Sequence, residues 1–179
     1  MRALRLQRLK ALGRDERGAT AIELALLALP FFALTGAIIE TSIVFLASQV
    51  LDAAVQDSSR LIRTGQAQTN SYTIDTFRTA ICSELFNLFN CSNLQIKVSV
   101  VSNFASATTP ASPLDPVDPS KWTLVPAFDP GTGSQVIMVQ VYYKWPVMLR
   151  IGGLNLATSS DGTRLMSAVR VFANEPFSS

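Results

Sequence analysis

The 179-residue chain contains no histidine. Histidine is the commonest metal ligand and the side chain best suited to moving protons near neutral pH. Its absence excludes His-based triads and the usual transition-metal sites. Cysteine is limited to Cys82 and Cys91, too few for a four-thiolate zinc site within one chain. Charge is sparse: 16% of residues are charged and 48% are hydrophobic, whereas a soluble domain carries about 25% charged residues. That deficit points to a membrane segment. No Gly-rich phosphate loop or nucleophile motif is found. Asp115 and Asp118 fall short of the about 6–8 oxygens that a calcium site needs and read as solvated loop charges. No metal, cofactor or catalytic residue is expected, and the content of the sequence lies in assembly.

The charge that is present is ordered along the chain. Arg2, Arg5, Arg8, Lys10, Arg14 and Arg17 precede a long apolar run, against only Asp15 and Glu16. A basic flank before a span predicts a cytoplasmic N-terminus, with the remainder facing outward. Such a cluster also suits nucleic acid, but directly before a span orientation is the better reading, and no nucleic-acid partner is expected. Leu4, Leu6, Leu9 and Leu12 among the basic residues make the leader amphipathic, fit to lie on an anionic membrane surface. A secretory signal peptide shares these features. Three observations oppose it: Glu23 sits at the front of the apolar region, that region outruns the usual 7–15 or so residues, and no small-x-small cleavage site closes it.

Residues 19 to about 45 suit a transmembrane helix, which needs about 20 apolar residues. Leu24 to Ile39 carries no formal charge. Pro30 predicts a kink or loosening near Leu26–Pro30. Gly36 reads either as a point of close helix approach or as an ordinary membrane glycine. A charged side chain at mid-bilayer costs roughly 2.5–3.5 kcal/mol, and less near an end, so Glu23 is expected to have a partner or a task. Glu40 either marks the outer headgroups or makes a polar contact with a neighbouring helix. Beyond it, Val44, Ala47, Leu51, Ala54, Ser58 and Leu61 recur at helical spacing, with Asp52, Gln56, Asp57, Arg60 and Arg63 on other faces. Gly65 is the expected stop. A helix from Ala19 to Thr64 would be roughly 65–70 Å long, more than a bilayer requires.

The remainder, 71–179, reads as a small α+β extracytoplasmic domain: a second helix and an antiparallel sheet of about three strands. Ile74, Phe77, Ile81, Leu85 and Leu88 line one face of the helix, capped by Ser71 or Thr73. Cys82 on it and Cys91 just beyond fit one disulfide in an oxidising compartment, with two buried free thiols as the alternative. Leu94–Val100, Gln135–Lys144 and Arg164–Phe172 read as strands, the second covered on both sides or central, ending at Trp145-Pro146 before a Gly152-Gly153 turn. Residues 102–133, rich in proline, read as a mobile insertion that Trp122 and Phe128 could anchor.

Gly18, four residues, Glu23 and an apolar helix together resemble the prepilin-peptidase signal of type IV pilin-like proteins. The stretch Arg17-Gly18-Ala19-Thr20-Ala21-Ile22-Glu23-Leu24-Ala25-Leu26-Leu27 is similar to the start of TadE-like pseudopilins of tight-adherence (Tad, or Flp) pilus systems. Ile38-Ile39-Glu40, Arg60-Leu61-Ile62-Arg63-Thr64-Gly65 and the tail Val171-Phe172-Ala173-Asn174-Glu175-Pro176-Phe177 also resemble that family. Tad pilins often carry an aromatic residue after the glutamate, where this chain has Leu24. The resemblance implies removal of leader 1–18 by a prepilin peptidase cutting between Gly18 and Ala19. It implies a minor pilin in the bacterial inner membrane, entering the extracellular pilus. Its partners would be other Tad minor pilins, the major Flp pilin, the inner-membrane assembly platform and membrane lipid. Glu23 and Glu40 are the expected assembly residues. An uncleaved, signal-anchored envelope scaffold that binds a partner is the alternative. A type II secretion pseudopilin and a membrane-tethered enzyme stand behind it.

Overall fold

The computed structural model describes residues 17–107, 111–151 and 154–177. Leader residues 1–16 and the expected Gly152-Gly153 turn lie outside the described residues. The chain divides after Glu40 into two compact units. One helix, α1 (Arg17–Arg63), begins in the first and ends in the second. Within the first unit α1 continues through Pro30, and Thr35 Oγ1 donates to the Phe31 carbonyl at 2.9 Å.

In the second unit α1 buries Val44, Ala47, Leu51, Ala54, Val55, Ser58 and Ile62. The expected stripe is present, but its last member is Ile62 and not Leu61, which is half-buried. Gly65 stops the helix at φ +80°, a conformation that costs glycine nothing. A Cβ there would also lie 2.8 Å from the Phe177 ring. After one turn, Gln66–Thr69, helix α2 (Ile74–Ser83) starts at Thr73, whose hydroxyl accepts from the Thr76 amide while the Thr73 amide donates to Thr76 Oγ1. Ser71 is not the cap; it sits at φ 50°.

The sequence spacing carried α2 on through Leu85 and Leu88. The helix stops earlier, because the chain turns left-handed at Phe86 and Asn87. The turn exposes Leu88 and buries Phe89, whose ring meets Tyr143 at 4.9 Å and Trp145 at 5.4 Å. Cys82 and Cys91 form the disulfide, with Cα atoms 6.0 Å apart, tying the end of α2 to the turn that enters the sheet.

The sheet has four strands rather than three. Its order is β2 (Ala127–Phe128), β1 (Gln95–Val101), β3 (Val136–Pro146) and β6 (Thr163–Ala173); β4 (Arg150–Ile151) and β5 (Leu154–Asn155) pair separately. β1–β3 and β3–β6 are antiparallel. β2 corrects the all-antiparallel expectation, pairing parallel to β1 through Lys97↔Ala127 and Val98↔Phe128. A parallel pair needs a crossover of a dozen or so residues, and the proline-rich segment supplies it.

On one face of the sheet Ile96, Val98, Ile137, Val139, Val141, Met166 and Ala168 join Leu51, Val55, Phe77 and Ile81 in a single core. Phe128 packs its ring 5.3 Å from Phe77. On the other face lie Gln140 and Tyr142, the phenol donating to Gln140 Oε1 at 3.2 Å; burial raises the Tyr142 pKa. Within the proline-rich segment, residues 114–122 form a clasp beside this face. Leu114 bridges to Trp122. Lys144 Nζ lies 5.2 Å from the Trp122 ring centre and donates to the Pro119 carbonyl at 3.0 Å, the Ser120 carbonyl at 2.6 Å and Asp161 at 3.0 Å. Asp115 and Asp118 accept backbone amides of their own turns, those of Val117, Asp118 and Ser120.

Candidate functional site

The first unit is apolar and exposed together. Ile22, Leu24, Leu26, Leu27, Leu29, Phe31, Phe32 and Leu34 are all more than half exposed. A helix apolar on every side is stable in water only when covered, so it belongs in a bilayer or against other helices. Thr20–Arg63 contains a window long and apolar enough to cross a membrane, and none of that window is buried. This apolar helix near the N-terminus fits a single-pass membrane protein.

Gly18 lies in the first turn of α1 and is exposed. A Cβ added there would meet nothing within 4 Å, so neither packing nor backbone conformation requires glycine at this position. Glu23 is exposed between Ile22 and Leu24. It lies four residues after Ala19, a spacing that brings the two onto one helical face. Among the described residues no hydrogen bond or ion pair reaches the Glu23 carboxylate. Glu40 is half-buried at the far end of the uncharged run. The fold thus displays Glu23 in an apolar surround and does not bring it to Glu40: the two are seventeen positions apart on one helix, about 25 Å at 1.5 Å per residue.

Two features of the second unit were not legible as a site. The Arg60–Gly65 stretch and the Val171–Phe177 tail adjoin one another. Arg170 comes in beside Asp52 and Gln56 of α1. Nothing local in the sequence marks residues more than a hundred positions apart as neighbours.

The family model described as TadE-like protein matches residues 18–60. No curated protein and no solved structure matches the chain. The family match begins at Gly18 and runs along α1 as far as Arg60, and over that stretch the chain is similar to TadE-like proteins.

Proposed function

We propose that this chain is a non-catalytic minor pilin that takes part in assembling or initiating a Tad pilus. A prepilin peptidase cuts it between Gly18 and Ala19. Before cutting, it sits as a single-pass protein of the inner membrane with its basic leader inside and its α+β domain outside. The observation that carries this reading is Glu23, an exposed carboxylate with no partner among the described residues, set in the apolar TadE-like segment.

Processing provides the missing counter-charge. Cutting after Gly18 creates an α-amino group on Ala19. In a stack of apolar helices, the Ala19 amine of one subunit pairs with Glu23 of another. Each charge alone is costly to desolvate, and pairing offsets both costs. The pair therefore favours one stagger between helices, which apolar packing alone leaves undetermined. Other Tad minor pilins, the major pilin and the membrane platform are the partners this role requires. Glu23→Ala is expected to insert into the membrane at the normal level and to be absent from sheared pili on immunoblots. Wild-type abundance of that variant in pili would remove the pairing role.

A further inference from the structure

The second unit holds a groove of about 320 Å³ between the distal half of α1 and the edge of the sheet, lined by Gln56, Ser59, Arg60, Arg63, Arg170 and Phe172 among others. Three arginines border it against one carboxylate, Asp57. Arg170 is held by Asp52 and Gln56, and Arg63 stands 3.6 Å from Glu175. Arg60 is exposed, and no side-chain partner reaches it among the described residues. Ser59 is only 4% exposed, and its hydroxyl has no hydrogen-bond partner among the described residues. A buried hydroxyl left unpaired is destabilising, so an acceptor brought to this wall of the groove would be favoured.

The groove also runs beside an open strand. β6 is the last strand of the sheet, and its register with β3 is unbroken from Thr163 to Ala173. The Leu165 amide is turned away from β3 and donates to Thr158 Oγ1 at 2.9 Å. Backbone direction alternates along a strand, so the amides of Ser167, Val169 and Val171 face the same outer side. The Thr158–Ser159 segment covers the start of this edge through bonds to the Thr163 carbonyl. Further along, the Val169 carbonyl accepts only from the neighbouring Arg170 side chain among the described residues.

We propose that this groove binds an extended acidic segment of a partner polypeptide. The segment adds a strand to β6 and places its carboxylates against Arg60, Arg63 and the Ser59 hydroxyl. Strand addition supplies main-chain hydrogen bonds, and side-chain pockets supply selectivity. A lipid headgroup would satisfy the arginines but would leave the strand edge unused. This inference does not depend on whether the leader is cut.

The test uses the full chain in phosphatidylcholine nanodiscs and a fluorescein-labelled peptide, Thr-Glu-Val-Glu-Val-Thr, read by anisotropy. The acidic peptide is expected to bind. A version with glutamine for glutamate, and one N-methylated on alternate amides, are each expected to bind at least about tenfold more weakly. Arg60→Glu should weaken the acidic peptide by a similar factor with an unchanged melting temperature. Ser59→Ala should weaken binding several-fold while leaving the melting temperature unchanged or raised, an outcome that a purely structural serine would not give. Absence of binding by the acidic peptide, equal binding of the glutamine peptide, or indifference to Arg60→Glu would overturn the proposal. So would phosphatidylglycerol vesicles engaging Arg60 while the peptide does not bind.

Discussion

Arg63 and Glu175 meet through both backbone and side chain. The Glu175 amide donates to the Arg63 carbonyl at 2.9 Å, and the side chains stand 3.6 Å apart. Both side chains are more than half exposed, so the ion pair itself contributes about 0–1 kcal/mol. The backbone bond matters more, because the last carbonyls of a helix lack intrahelical partners and the tail supplies one. On either side, the buried Asn174 side-chain Nδ2 donates to the Pro130 and Thr132 carbonyls at 3.0 Å each, and Phe177 lies over Gly65. Two stretches singled out separately in the sequence are one latch, which fixes where the long helix ends against its domain.

Gly65→Ala tests that latch. The new Cβ would need φ +80° and would stand 2.8 Å from the Phe177 ring. The expected loss is about 1–3 kcal/mol, measured by denaturant unfolding of the detergent-solubilised chain. Phe177→Ala in the same background should recover the steric part and leave the conformational part, so the two changes should be non-additive.

The disulfide closes a short loop, Cys82 and Cys91 lying nine positions apart in the sequence. The chain-entropy account gives about 2–3 kcal/mol for such a loop. Replacing both cysteines by serine should lower the free energy of unfolding by that amount. The wild-type chain treated with reductant should move the same way, and the variant should not respond to reductant.

Acid should loosen the proline-rich clasp. Burial opposes charge on Asp161, but the Thr163 hydroxyl and amide together with Lys144 outweigh it and hold the carboxyl below its ordinary 3.8. Asp118 is also lowered, chiefly by the Ser120 hydroxyl and then by Lys121. A carboxyl depressed on folding adds stability that is present above its ordinary value and lost as pH falls through the lowered one. Trp122 fluorescence should therefore report loosening as the pH drops below about 4. Asp161→Asn should cost about 1 kcal/mol at neutral pH and flatten that acid dependence.

Much of this was legible because periodicity reports burial. The stripe from Val44 to Ser58 and the alternation in Leu94–Val100 state which faces are covered. The failures have physical reasons. Leu85 and Leu88 keep a helical spacing after the helix has ended, since spacing says nothing of the left-handed turn at Phe86 and Asn87. β2 is two residues long, too short to alternate, and its parallel pairing depends on a distant strand. At the N-terminus, Gly18, Glu23 and the apolar run could be read in full from the sequence, because one helix carries them all. The arginine groove could not, because α1 and β6 meet only through the fold.

The central claim is that proteolysis supplies the partner of Glu23. Intact-mass and N-terminal mapping of the protein from a piliated host, with and without its prepilin peptidase, tests this most directly. The account predicts a mature chain beginning at Ala19 when the peptidase is present and a chain retaining residues 1–18 when it is absent. A mature chain that still begins at Met1 in the piliated host would contradict it.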